Sequence, residues 1–284
     1  MPARRATLIG GQGFIGRRLQ ARLRRDGWSV LVASRDESEL DGRDLGCVFY
    51  CAGLTGDYAA RPFDTVEAHA GLLSRILRSG RHESLVYLSS TRLYDGLGDV
   101  DAAEDTPLRL LPQHPRHLFD LSKALGESLC LAAGGGRARV ARLSCVWSDA
   151  PEAEGFLPTL IRDVLACRAD GAGRARPRLS VDSSPGLARD YVHIDDVLDA
   201  LIALALHHGF GIYNVAGGRN VVNARLFERL GAAAGCEVVA ARSDPPVPMP
   251  RVSTARMVAC FGWSPADSLE LAAARVEEAR ACSS

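Results

Sequence analysis

Lys123 follows Phe119 by four positions in the run HLFDLSKALGE. On a helix, residues at i and i+4 share a face. A phenol placed there would become an acid–base group, because the neighbouring ammonium stabilises phenolate and lowers the phenol pKa. Such a group typically contributes roughly a hundred- to ten-thousand-fold in rate. This chain keeps the ammonium, but its aromatic partner, Phe119, has no proton to give. Ser89, Ser90 and Thr91 close the apolar run LVYLSST. Their hydroxyls could polarise a substrate oxygen or could serve only to cap and turn the chain.

These groups need a scaffold, and the first elements supply a specific one. Ala6 to Ile9 form an apolar strand that runs into GGQGFIG and then an amphipathic stretch with Phe14, Ile15, Leu19 and Leu23. Gly10, Gly13 and Gly16 are spaced three apart. That spacing lets a strand turn tightly into a helix whose N-terminus faces a pyrophosphate. Dinucleotide binding is the expectation. A second strand, WSVLVAS, ends at Ser34 and Arg35. An acidic group at that strand end would take ribose hydroxyls, whereas an Arg pairs with a 2′-phosphate. Asp36 falls late for the first role, so NADP is favoured over NAD. Only Asp36 to Gly46 separates Arg35 from the next strand, CVFYCAG. A complete helix–strand–helix insertion does not fit there, and the sheet is expected to lack one strand or helix. A helical run from about Thr65 to Leu77 follows.

Composition narrows the class. The chain has 284 residues, 47% hydrophobic and 24% charged, as befits a globular protein with a sizeable core. Lys+Arg and Asp+Glu both total 34, which gives no electrostatic footprint for nucleic acid or an anionic membrane. Apolar runs such as VLDALIALAL are too short to span a bilayer. The N-terminus leads straight into a strand without a signal-like segment, so a cytoplasmic location is expected. Eight cysteines are scattered without a CxxC pair. They read as buried free thiols, with no metal site and no disulfide framework.

Taken in order, GGQGFIG, LVYLSSTRLYDG, FDLSK and RDYVHIDDV resemble the extended short-chain dehydrogenase/reductase family, in its sugar-nucleotide epimerase, dehydratase and 4-ketoreductase branch. GIYNVAGG and CFGWSP follow the C-terminal pattern of the same family. The resemblance implies an α/β fold, a Rossmann-like doubly wound parallel sheet with a smaller C-terminal substrate-binding domain. Residues 1–147, with sheet-completing segments near 181–215, would form the dinucleotide-binding part. Residues 148–284 would mainly bind substrate. It also implies roles. Gly10, Gly13, Phe14, Ile15 and Gly16 would hold the pyrophosphate, with Ser34, Arg35, Ala52 and Gly53 on the adenosine side. Lys123 would hold the nicotinamide ribose, and Ser90 would bond the reacting oxygen. Thr91, Cys145 and Arg189 would face the substrate, with Arg189 on the phosphates of a nucleotide-linked sugar. The alternative for Arg189 is a salt bridge with Asp190 or Asp196.

The departures from that pattern are also informative. Phe119 stands in the catalytic Tyr position, His69 where Asn is usual, and Cys145 where Asn often contacts substrate. The reading that follows is an NAD(P)-dependent epimerase- or reductase-like enzyme with altered proton transfer. His69, His114, His117, Thr91 or water could then supply the proton. The alternatives are a dinucleotide-loaded sensor or partner protein, or an introduced inactivating substitution at Phe119. Homodimerisation through the helices near Thr65–Leu77 and Phe119–Ala133 is expected, since the second carries Leu121, Leu125 and Leu129.

Overall fold

The computed structural model describes residues 3–33, 40, 42–79, 81–114, 116–167 and 176–282. The chain opens with β1 (Arg5–Ile9), α1 (Phe14–Arg25), β2 (Ser29–Val32) and β3 (Cys47–Tyr50). A helical arm follows: α2 (Pro62–Val66), a π-helical turn (Glu67–Gly71) and α3 (Leu72–Ser79). Next come β4 (Ser84–Ser90), a 3-10 segment (Thr91–Leu97), β5 (Asp101–Ala102), α4 (His117–Ala133), β6 (Ala138–Leu143) and β7 (Cys145–Trp147). The second half holds α5 (Phe156–Ala166), β8 (Arg178–Val181), β9 (Ala188–His193), α6 (Ile194–Leu206) and β10 (Gly211–Val215). It ends with β11 (Asn220–Val222), α7 (Asn223–Ala234), β12 (Glu237–Ala240), β13 (Arg251–Val252), α8 (Ala255–Phe261) and α9 (Ser268–Ala281).

The main sheet has six parallel strands in the order β10-β6-β4-β3-β1-β2. Strands buried on both faces need continuous apolar runs rather than alternation, and CVFY is buried at all four positions. α1 and α6 cover one face through Leu19, Leu23, Val197, Leu201 and Leu204. α3 and α4 cover the other through Leu73, Ile76, Leu77 and Cys130. This is the Rossmann-like doubly wound sheet expected from the sequence. Among the described residues no strand lies outside β2, in keeping with the short connection to β3.

A second core gathers Trp147, Leu160, Leu226, Leu230 and Val276 from β7, α5, α7 and α9. The small sheet β11-β9-β7 borders it. The run RDYVHIDDV is β9 entering α6: His193 caps the helix by accepting from Asp195 N, and Asp195 and Asp196 face the positive helix end. The run CFGWSP ends α8 on Gly262, whose φ of 62° is the left-handed cap that glycine allows. Cys47, Cys130 and Cys236 are buried, whereas Cys145, Cys260 and Cys282 face solvent, which corrects the expectation of uniformly buried thiols.

Candidate functional site

The glycine turn is held by backbone proximity. Gly10 has φ +74°, and a Cβ there would lie 2.6 Å from Ala52 N. A Cβ on Gly16 would lie 2.6 Å from Gly10 O, so the helix start rests directly on the turn. Gly13 is the N-cap of α1, with no side-chain cap and no acidic residue in the first turn, while Arg22, Arg24 and Arg25 occupy the last turn. The positive end of the helix dipole is therefore open to the cleft. A Cβ on Gly13 would meet only Gly10 O, at 3.5 Å, so this glycine clears space on the cleft side. The cradle fits a pyrophosphate.

On α4, Lys123 is 5% exposed and its Nζ donates to Leu88 O at 2.8 Å. Burial lowers its pKa to about 8, against the opposing pull of Glu127. Four positions earlier, Phe119 is 1% exposed. Its ring lies 5.4 Å from Tyr58 and 5.3 Å from His69, and the Arg92 guanidinium sits over it at 4.5 Å.

The histidines do not fill the gap left by the missing phenol. Leu54 N donates to His69 Nε2 at 3.3 Å. Nδ1 therefore carries the ring proton and faces Ser122 Oγ at 2.7 Å, and that hydroxyl donates in turn to Phe119 O at 3.0 Å. Burial, reinforced by Lys123, lowers the His69 pKa to about 3, so the ring is neutral with both nitrogens engaged. His117 is buried and accepts from Leu111 N, and His114 lies on the surface. None of the three lines the cleft.

β4 ends at the cleft. Ser90 Oγ accepts from Arg92 N at 3.2 Å and caps the 3-10 segment, which leaves the Ser90 proton free to point elsewhere. Thr91 Oγ1 donates to Leu143 O at 3.3 Å. Across the cleft, Arg189 lies beside Cys145. The sequence alternative for Arg189 is not realised. Asp190 Oδ1 instead accepts from Gly217 N at 2.6 Å, and Asp196 Oδ2 accepts from Ala266 N at 3.0 Å. Burial raises Asp190 to about 6.

One cleft of about 440 Å³ takes in Gly13–Gly16, Ala52, Gly53, Ser90, Thr91, Phe119, Lys123, Cys145 and Arg189. Gly10 braces the turn from behind and does not line it. Ser34, Arg35 and Asp36 lie outside the described residues. Sequence reasoning missed Arg92, Asp95, Asn220 and Tyr58. Arg92 sits two residues past Ser90 in the strand-end motif, but nothing in the spacing indicates where its side chain turns. Among the described residues, no group of three or more His, Cys, Asp or Glu could hold a metal ion.

A sequence model of the NAD dependent epimerase/dehydratase family matches residues 6–216. The chain belongs to that family. GDP-6-deoxy-D-mannose reductase of Pseudomonas aeruginosa is 27% identical over 92% of each chain. A putative GDP-L-fucose synthase of Oryza sativa subsp. japonica is 24% identical, over 91% of this chain and 81% of its own length. The solved structure of RMD from Pseudomonas aeruginosa complexed with NADPH superposes with a TM-score of 0.73, 24% identity and 98% coverage of both chains. UDP-glucose 4-epimerase of Thermotoga maritima with UDP-glucose gives 0.75, at 19% identity and 99% and 100% coverage. Membership makes this an NAD(P)-dependent oxidoreductase- or epimerase-like protein. The Rossmann-like α/β fold and the NAD(P) cofactor agree with the sequence expectations. Among the described residues, no helix is long and apolar enough to cross a membrane.

Proposed function

We propose that this chain binds NADP(H) and a nucleotide-linked sugar, and moves hydride between the nicotinamide and a carbonyl or carbinol carbon of that sugar. The observation that carries this reading is the single cleft shared by the Gly13–Gly16 turn, Lys123, Ser90 and Arg189. When bound, the cofactor supplies the hydride chemistry. The first turn of α1 holds the pyrophosphate through its N–H groups. The choice of NADP over NAD rests on Arg35 following β2 and on the NADPH carried by the Pseudomonas relative. Below pH 8 the Lys123 ammonium holds ribose hydroxyls as a cation. Ser90 presents its proton to the reacting oxygen, and Arg189 forks onto the substrate diphosphate.

Position 119 has no part in the proton balance, so the alkoxide takes its proton from water in the cleft. The buried Phe119 ring and the fully engaged His69 also favour a second reading, a dinucleotide-binding partner protein without turnover. The division into residues 1–147 and 148–284, a cytoplasmic location and a homodimer complete the reading.

NADPH fluorescence titration separates cofactor binding from its absence. Wild type binds and Gly13→Val does not, although the substituted position has room and should fold. Oxidation of bound NADPH by nucleotide-linked keto sugars, with and without a C6 carboxylate, then decides between enzyme and partner. If wild type fails to bind NADPH, the whole reading falls.

A further inference from the structure

The charged groups of the cleft are Arg92, Asp95, Lys123, Arg189 and Asp190. Four of the five have work assigned to them. Asp95 pairs with Arg116 at 2.8 Å, and Asp190 takes the Gly217 N–H at 2.6 Å. Lys123 donates to Leu88 O and, in the reading above, serves the cofactor; Arg189 serves the substrate diphosphate. Arg92 is left over. It is half-buried, and among the described residues no carboxylate lies within ion-pair distance of it. Asp95 and Asp120 feel its field, but both are matched first by Arg116.

Its surroundings fix how it can act. The guanidinium lies over Phe119 at 4.5 Å and over Tyr58 at 5.5 Å. Stacking engages the faces of the group, whereas its five N–H donors lie in its plane and fit a carboxylate two at a time. Two rings therefore hold the guanidinium by packing alone and take none of its N–H donors, which are left for an acceptor. Phe119 adds no hydroxyl that would compete for those donors. The guanidinium lies against Phe119, four positions before Lys123 on α4, so the fork stands at the end of the cleft that holds Phe119 and Lys123.

We propose that Arg92, packed against Phe119 and Tyr58, binds a carboxylate on the substrate sugar, making the substrate a nucleotide-linked uronate. The proposal rests on the sugar-nucleotide reading above. It gives Phe119 a use as the platform for a fixed cation.

Calorimetric titration of the NADPH-loaded protein with two matched pairs tests it: GDP-mannose against GDP-mannuronate, and UDP-glucose against UDP-glucuronate. In at least one pair the uronate binds roughly 10- to 100-fold tighter, the range expected of a desolvated charge-assisted bond. Arg92→Gln erases that preference, and Arg92→Lys, which keeps the charge without the fork, retains only part of it. NADPH binding by each variant confirms its fold. Equal affinity within both pairs overturns the proposal, as does a preference that survives in Arg92→Gln. An equal loss for neutral and acidic sugars in that variant shows a wall-shaping role and also overturns it. If NADPH binds and none of the four sugars does, the substrate class of the proposed function falls and takes the carboxylate with it; if NADPH itself does not bind, the cofactor reading fails first.

Discussion

Glu127 and Arg142 meet fork to fork beneath the floor of the cleft, with Nε–Oε1 at 2.9 Å and Nη2–Oε2 at 2.6 Å. Both side chains are nearly sealed from solvent, at 4% and 3% exposure. Ser89 donates to Glu127 Oε1, and Arg142 Nη1 donates to the Tyr94 hydroxyl, whose own proton points toward Asn214 Oδ1. One network thus ties α4 to β4, β6 and β10, the elements that carry Lys123 and Ser90. Breaking a buried pair leaves an uncompensated charge, which costs about 3–5 kcal/mol. Glu127→Ala should lose stability of that order in urea denaturation. A loss below about 1 kcal/mol would show that the pair is solvated in the folded protein.

The same network shows what a motif reveals and what it hides. The string SSTRLY marks a strand end in the sequence, and β4 does end there. The motif's residues divide between tasks, however: Ser89 and Ser90 both border the cleft, but the Ser89 and Tyr94 hydroxyls are taken up by the buried pair. The glycine turn was legible because its need for positive φ and close approach is local. Arg92 and Tyr58 were not, because their stacking on Phe119 depends on how the segment after β3 folds back over α4. That no strand lies outside β2 among the described residues was legible from the short connection between Arg35 and β3.

The neutrality of His69 has a pH signature. A histidine whose folded pKa falls to about 3 from 6.5 stabilises the fold above pH 6.5, and that stability is lost as pH drops toward 3. Between pH 7 and pH 5 the loss amounts to about 2 kcal/mol, at 1.36 kcal/mol per unit. Buried His82 shifts in the same direction, so the readout is the difference between wild type and His69→Gln. The variant should show a shallower acid slope in urea midpoints, and equal slopes would place the His69 ring in contact with water.

Lys123 is costly to the fold. Its pKa falls from 10.5 to about 8 because burial disfavours the cation. Stability should therefore rise from pH 8 to pH 10.5, as the unfolded chain binds the proton that the folded one has lost. Lys123→Met removes that slope, raises stability at pH 7 by about 1–3 kcal/mol and weakens NADPH about tenfold. Thermal melts and fluorescence titration on the same samples read both. A destabilised variant with intact NADPH affinity would make Lys123 a structural residue.

The proposed dimer has a definite face. Leu125 is 49% exposed on α4, and Phe63 is 88% and Val66 40% exposed on the neighbouring α2. Leu121 and Leu129 flank Leu125 at helical spacing and are half-buried. A second copy bringing the same two helices would cover this patch symmetrically. Sedimentation should give a dimer for wild type and a monomer for the double variant Phe63→Lys, Leu125→Lys. A wild-type monomer at micromolar concentration would leave the patch without this occupant.

Restoring a phenol at position 119 tests whether the cleft lacks only that atom. In Phe119→Tyr the new hydroxyl would stand near Lys123 and the Arg92 guanidinium, two cations that both lower a phenol pKa. Reduction consumes the protonated phenol, so the added activity should decline as pH rises through that lowered pKa. Wild type should lack this limb, because Phe119 does not titrate. On a neutral keto sugar the gain expected from a placed acid is roughly a hundred- to ten-thousand-fold. The cost is a hydroxyl at a site that is now 1% exposed, about 1–3 kcal/mol if it finds no partner. A large gain with a new basic limb would mean that hydride geometry and oxygen polarisation are already in place and that proton delivery alone limits wild type. An unchanged rate with an unchanged pH profile would instead mean that the reacting oxygen does not sit beside residue 119, and the placement of Ser90 and Lys123 around it would have to be abandoned.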